Sequence, residues 1–441
     1  MNFGTFFLNC AILLIGWGIP QEGVSLTWIA FGDLRGHVEP CGCDPLTDLG
    51  GIRRIDVSVA EQRGFSKDLA LYSLGNNAPK PKETGKLKAI LQFEERMRPD
   101  AVLWNRAEAA AFDAIQKLWA KKKRNIPYVL SVPEKDRPPM AAFSVRVNGQ
   151  DVMGYTDEFA SVLESTLIPL WRSHSANRKT LLFSGKDKSL QIIRKADLFH
   201  QIISSNTQPF TAKPEQLEKR EPGRLLRLGA VYMVPSFGQG LLRHLQPGKA
   251  PVFEMDGGVD RGKDSLSMQF SQQSPFIWLT RKFEGNSSMD EVMKEYNEGA
   301  AILFQKLAVS RAKDLKNSPF AGAAVCAACH QEEHKVWKNS AHAGAIPTLA
   351  KKSKDQDPEC VSCHVVGYDQ KGGFASMEAS PQFAGVQCEN CHGAGLEHVQ
   401  NQKIPPAITK PSEACIGCHN STHSPSFEYD TYWPKIKHGK P

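Results

Sequence analysis

Polar and apolar positions alternate along the first two-thirds of this chain in two different periods. VSLTWIAF, DLALYSL, DAVLWN and PYVLSV are short β-rich runs, and between them lie GGIRRIDVSVAEQ, TGKLKAILQFEERM and RAEAAAFDAIQKLWAKKK, which carry helical spacing. Strands that alternate with helices predict an α/β domain in which helices cover sheet faces. SVRVNGQDVMGY places Asn148 and Gly149 between two alternating runs, the signal of a tight hairpin, so the sheet is expected to be mixed. Further strand-like runs follow at KTLLFSG, FHQIISS and LGAVYMVPS, and the region is expected to end near Phe283.

The pattern then changes. Residues 288–313 read as one long helix, with acidic residues in its first turn and basic ones in its last, as the helix dipole favours. From Pro319 to the end few long apolar runs remain, too few for an ordinary core. At the other end, residues 6–19 are apolar and are followed by small and polar residues. That length suits a signal peptide cleaved near Ser25 better than a membrane span, although the leader has no Lys or Arg. The expected domains are 1–25 (signal peptide), 26–283, 284–318 (helical linker) and 319–441.

Cysteine placement supplies the chemistry. Eight of the eleven cysteines fall in four Cys-x-x-Cys-His motifs: Cys326, Cys329 and His330; Cys360, Cys363 and His364; Cys388, Cys391 and His392; Cys415, Cys418 and His419. This is the spacing of covalent c-type haem attachment, with two thioethers to the porphyrin and the adjacent histidine on iron. Zinc sites have no reason to place histidine after every second cysteine. Four covalent haem c groups are therefore expected, serving as the core that the apolar pattern lacks. Nine of the thirteen histidines lie in this last region, and His334, His342, His398, His423 and His438 are available as sixth ligands.

Charge is then reinterpreted. The formal +7 falls to about +3 if each of four ferric haems contributes about −1, and no basic stripe with interleaved aromatics favours nucleic acid. The remaining cysteines are Cys10 in the leader and the pair Cys41 and Cys43, which leave no larger disulfide framework. That pair is compatible with a strained local disulfide, a metal site or free thiols.

The inter-motif residues add a resemblance. CAACHQEEHKVWKNSAHAGAIPTL, PECVSCHVVGYDQKGGF, GVQCENCHGAGLEH and ACIGCH followed by SPSFEYDTYWPKIKH are similar to the tetrahaem cytochromes c typified by the electron acceptor of hydroxylamine oxidoreductase. The resemblance implies that His398 is distal to the first haem, His342 to the third and His438 to the fourth. It leaves the second haem five-coordinate, as in the family's best-known member, with His423 or His334 as candidates to fill it.

A second resemblance covers residues 26–250. TWIAFGDLRGHVEPCGC, LALYSLGNN, PDAVLWNRAE, FHQIISSNTQP and AVYMVPSFGQGLLRHL follow the landmarks of 5′-nucleotidase-like, calcineurin-like metallophosphoesterases, which hold two metal ions between carboxylates, asparagine and histidines. Asp33 and Asn105 match that pattern. Arg35 and Arg106 stand where it has histidines, Asn76 where it has aspartate, and Asn206 and Gln208 where it has a late histidine pair. A guanidinium has no lone pair to give a cation. The expectation is a phosphoesterase-like domain without catalysis, in which arginine charge replaces the metals and pairs with Asp33.

The whole reads as a mixed-sheet α/β metallophosphoesterase-like sandwich joined to a mainly α, loop-rich tetrahaem cytochrome c domain. The expected role is electron carriage between redox partner proteins, other cytochromes or an oxidoreductase, in the periplasm or at the cell surface. Association with a membrane or into oligomers is compatible with this role. Two alternatives are a haem enzyme acting on nitric oxide or hydroxylamine at an open second haem, and a subunit of an extracellular cytochrome assembly.

Overall fold

The computed structural model describes residues 25–40, 50–66, 68–80, 83–119, 126–176, 178–205, 231–234, 240–246, 276–279, 281–406, 411–420, 423–424 and 427–439. The expected leader, Cys10, Cys41, Cys43, Asn206 and Gln208 lie outside the described residues.

Two sheets form the first part. Strands β1 (Ser25–Phe31), β2 (Ala70–Ser73), β3 (Ala101–Leu103), β4 (Tyr128–Val129) and β5 (Ala141–Ala142) run parallel in that order. The second sheet holds β6 (Ser144–Val147), β7 (Gln150–Thr156), β8 (Lys179–Ser184), β9 (Gln201–Ser205) and β10 (Val231–Val234). Finally β11 (Gly240–Gln246) returns antiparallel to β1 and carries β12 (Phe276–Trp278) at the edge of the first sheet. The mixed character expected from the Asn148-Gly149 turn is present: β6 and β7 pair antiparallel, and both turn residues have positive φ (46° and 77°), as a two-residue hairpin of primed type needs.

Alternation within strands explains how the layers assemble. In β1, Trp28 and Ala30 face inward with Ala70, Tyr72, Leu103 and Val129 against Val147, Val152, Leu182 and Ile203 of the second sheet. The intervening Ile29 and Phe31 face outward and are covered by helices α1 (Ile52–Phe65) and α2 (Thr84–Met97). The short α3 (Arg106–Ala110) leads into α4 (Phe112–Trp119), which packs beside α2, and α5 (Ile168–Ser173) and α6 (Asp187–Ala196) bury Trp171 and Ile193 with Tyr155, Leu181 and Phe183 of the second sheet. Trp171 is fully buried there and donates its indole N–H to the Ser131 carbonyl at 2.7 Å.

The long helix α7 (Asp290–Ala312) joins this sandwich to the motif-bearing region. Its first turns bury Met289, Val292 and Met293 against α2, and its later turns bury Phe304 among Phe320, Val361, Val365, Tyr368 and Phe374. The motif-bearing region thus holds a small apolar core of its own beside the second motif, which the sparse apolar pattern did not suggest. The rest of the region consists, among the described residues, of helices of three to eight residues connected by turns. No helix among the described residues is long and apolar enough to cross a membrane.

Candidate functional site

Three histidine pairs face one another across gaps of one size. The ring centroids of His330 and His398 are 6.3 Å apart, those of His342 and His419 6.2 Å, and those of His392 and His438 5.9 Å. An imidazole nitrogen sits about 2.0–2.1 Å from a first-row metal and about 1.1 Å from its own ring centroid, so one metal between two rings asks for roughly 6.2 Å. One histidine of each pair belongs to a Cys-x-x-Cys-His motif. The rings therefore fit a central iron.

Hydrogen bonding prepares the other ring nitrogen. Nδ1 of His398 lies 2.8 Å from the Ile404 carbonyl, Nδ1 of His438 2.8 Å from that of Ile436, and Nδ1 of His364 2.8 Å from that of Ala345. A carbonyl only accepts, so Nδ1 carries the proton and Nε2 presents its lone pair. His419 places Nδ1 3.2 Å from Ser424 Oγ and stacks on Phe427 at 4.8 Å. Burial lowers the basicity of His342, His392 and His419, which favours the neutral imidazole that ligation requires.

The ring pairs differ in part from the distal ligands that the resemblance implies. His398 faces His330 of the first motif, the pair that resemblance names. His342 faces His419 of the fourth motif rather than His392 of the third, and His438 faces His392 rather than His419. The reason is the chain path. Beyond His419 the chain places Phe427 and Tyr432 against the His419 ring, and His438 then reaches the third motif. Sequence distance cannot reveal that reversal.

His364 of the second motif has no histidine ring opposite it among the described residues. His334 packs on Trp337 of its own helix, at 5.1 Å, and faces no motif histidine. His423 lies near enough to Cys363 for its charge to bear on that thiol. The motifs also adjoin in a row. The Cys326 thiol meets that of Cys388, the helix of the third motif packs on the helix that opens the fourth with Cys391 near Cys415, and Cys418 Sγ lies 4.0 Å from the Cys363 carbonyl, so the order in space is first, third, fourth, second. None of the eight motif cysteines is in a disulfide, so all are available for thioethers.

Two polar residues that the motifs alone did not reveal hold this arrangement. Buried Glu389, inside the third motif, accepts hydrogen bonds from the backbone N–H groups of Ala321, Gly322 and Gly395 at 2.7–2.9 Å. Gln387 accepts from Ala323 N–H at 2.7 Å and donates to the Gln382 and Ala384 carbonyls. Their signal in the sequence was only a polar residue in a region with little core.

Residues 325–393 match the family model described as Cytochrome c554 and c-prime. The C-terminal region is thus similar to this family of c-type cytochromes. Covalently bound haem c is the cofactor that this match implies. Over 94 residues the chain is 38% identical to cytochrome c-554 of Nitrosomonas europaea, covering 18% of this chain and 40% of that protein. Over 121 residues it is 30% identical to the C-type polyheme cytochrome OmcB of Geobacter sulfurreducens, covering 26% of this chain and 15% of that protein. The chain thus spans well under half the length of either relative. Among solved structures it is similar to the sulfate thiohydrolase SoxB of Thermus thermophilus (TM-score 0.40, 11% identity, 62% of this chain and 60% of that one). It is also similar to a 5′-nucleotidase precursor of the same organism (TM-score 0.38, 14% identity, 64% of this chain and 60% of that one).

At the C-terminal ends of the sandwich strands the chain carries a second polar cluster. Asp33, 2% exposed, follows β1 and is held by Arg35, whose Nε and Nη2 donate to its two carboxylate oxygens at 2.9 and 3.1 Å. Asn76 Nδ2 donates to the same carboxylate. The expected pairing of Arg35 with Asp33 is present, so both carboxylate oxygens already have donors. Asn105 caps α3 through its Oδ1 and donates its Nδ2 to Ser184 Oγ at 3.0 Å, while Arg106 is exposed. Asp33, Arg35 and Asn76 all have φ between 48° and 55°, a left-handed conformation that side chains other than glycine enter at a cost. No group of three or more His, Cys, Asp or Glu side chains is placed to hold a metal ion among the described residues.

Proposed function

We propose that this protein is an exported multihaem c-type cytochrome that carries electrons between redox partner proteins through four covalently bound haems. The observation that carries the reading is the set of three facing histidine pairs, each built from one motif histidine and one distant histidine. Bis-histidine ligation keeps iron low-spin and coordinatively full, so little rearranges on reduction, which suits outer-sphere transfer. The ligand sets are His330 with His398 on the first haem, His392 with His438 on the third and His419 with His342 on the fourth. Cys326 and Cys329, Cys360 and Cys363, Cys388 and Cys391, and Cys415 and Cys418 hold the porphyrins. The contacts between the first and third motifs, the third and fourth, and the fourth and second support three short transfer steps.

The domains follow the same reading: a leader over 1–25, the sandwich over 26–283, a linker over 284–318 and the haem region over 319–441. The sandwich is a non-catalytic module, because the Asp33 carboxylate is occupied by Arg35 and Asn76. The location is the periplasm or the cell surface, where covalent haem attachment takes place.

A second reading rests on His364, which has no histidine ring opposite it among the described residues. An open sixth position there allows small-molecule chemistry, with nitric oxide or hydroxylamine as the substrate class. One experiment separates the two. Electron paramagnetic resonance of the oxidised, fully loaded protein is recorded together with optical spectra of the reduced form before and after carbon monoxide. Four low-spin irons and no response to carbon monoxide support the carrier, with His423 as the candidate ligand on the second haem. One high-spin iron that binds carbon monoxide supports the enzyme, and four high-spin irons would sink both.

A further inference from the structure

The sandwich touches the haem region through charges that converge on one motif. Lys86, in the first turn of α2, is 16% exposed and lies between Glu83 at 3.2 Å and Glu359 at 2.5 Å. Glu359 directly precedes Cys360. Lys354, also 16% exposed, pairs with Glu39 of the sandwich and lies 3.7 Å from Asp357. It also donates to Asn297 Oδ1 at 2.7 Å and sits 5.7 Å from the Tyr296 ring centre. Asp357 in turn caps the short helix Pro358–Val361 that opens the second motif, accepting from Glu359 N–H at 3.1 Å. Both described ion pairs between residues before 283 and residues after 319 therefore end at the second motif.

Lys86 is also packed within the sandwich: a Cβ placed on Gly36 would lie 2.5 Å from Pro79 Cβ and 3.6 Å from Lys86 Cδ, so the loop after β1 has no room for a side chain there. That loop also carries Asp33, Arg35 and Glu39. An exposed ion pair contributes little to stability, whereas two lysines withdrawn this far from water are screened weakly and act on nearby charge. The four carboxylates and two ammonium groups of the cluster sum to −2.

We propose that Lys86 and Lys354 are positioning residues for the second haem. Lys86 of the sandwich, and Lys354 of the haem region held by Glu39 of the sandwich, supply the fixed charge that sets the reduction potential at Cys360, Cys363 and His364, the motif whose histidine faces no other histidine ring among the described residues. This inference rests on the haem-carrier reading. Removing either ammonium makes the cluster more negative, stabilises the ferric state and lowers that haem's midpoint.

The test is a spectroelectrochemical titration of the full-length, haem-loaded protein and of Lys86→Gln, Lys354→Gln, Glu359→Gln and Lys86→Arg. Both glutamine-for-lysine variants are expected to lower one and the same midpoint and leave the others in place. Glu359→Gln should raise that midpoint, and Lys86→Arg should restore it. Glu359 is half-exposed and Lys86 keeps Glu83 as a partner without it, so this variant remains informative if a lysine variant fails to load haem. The proposal is overturned if no midpoint moves in Glu359→Gln, if all midpoints move together, or if Lys86→Arg behaves like Lys86→Gln. A wild-type protein with fewer than four haems would instead overturn the carrier reading, and the shift of the haem on Cys360 would still judge this inference.

Discussion

Replacing Glu94 with glutamine should make the sandwich more stable, and increasingly so as pH rises. Glu94 lies on α2 beneath the loop that carries Asn76, 2% exposed, and accepts hydrogen bonds from Asn77 Nδ2 at 2.8 Å and from the Tyr128 hydroxyl at 3.3 Å. Burial, reinforced by the neighbouring Glu108 carboxylate, pushes its acid up from 4.5 to about 8. The folded protein therefore holds a proton on Glu94 that the unfolded chain has released, throughout the range between those two values. The stabilisation from that proton is complete below about pH 4.5, declines as pH rises, and is gone above about pH 8. A tenfold change in proton affinity corresponds to about 1.4 kcal/mol, so the whole range amounts to on the order of 5 kcal/mol. Glutamine is neutral at every pH, can accept from Asn77 and can donate to Tyr128, so it removes the pH-dependent part while keeping the contacts. Urea denaturation followed by far-ultraviolet circular dichroism at pH 5, 7 and 9 measures the effect, with haem absorbance reporting separately on the C-terminal region. Equal midpoints near pH 5 and a widening advantage for Glu94→Gln toward pH 9 are expected. Parallel pH profiles for the two proteins would refute this reasoning, because they would mean that Glu94 is ionised in the folded state as it is in the unfolded one.

Other perturbations address the haem region and the cleft. His438→Ala should turn the third haem high-spin and reactive toward carbon monoxide while leaving the fourth low-spin, and the opposite outcome would restore the pairing expected from the sequence resemblance. Glu389→Ala orphans three backbone N–H groups between the first and third motifs, which costs several kcal/mol at about 1–3 kcal/mol each. Its thermal midpoint, followed by haem absorbance, should fall, and an unchanged midpoint would remove Glu389 from the framework. Arg35→Ala takes two donors from the buried Asp33 carboxylate, leaves it the Asn76 amide, and should destabilise the sandwich by about 1–3 kcal/mol in chemical denaturation. The wild-type protein with added manganese should not hydrolyse bis(4-nitrophenyl) phosphate, and metal-dependent turnover would contradict the reading of Arg35 as a replacement for metal.

What the sequence determined by itself is what local spacing encodes. Four Cys-x-x-Cys-His motifs place their reactive atoms within one helical turn, so no tertiary information is needed to name the residues proposed to attach haem. Periodicity gave the strand–helix alternation and α2 over residues 84–97, and Asn148-Gly149 gave the hairpin, because backbone conformation there depends on adjacent residues. The Asp33–Arg35 pair was legible for the same reason, since its two members are two residues apart. Which distant histidine faces which motif was not legible: His342 and His419 are 77 positions apart, and only the fold-back after His419 brings their rings to 6.2 Å. Likewise nothing local to Lys86 points to Glu359. That contact exists because α7 spans both cores, burying Met293 in one and Phe304 in the other, and so fixes the second motif against the sandwich. Covalent attachment is a short-range chemical pattern written in neighbouring residues, whereas ligation and charge environment depend on side chains that meet only after long loops have closed.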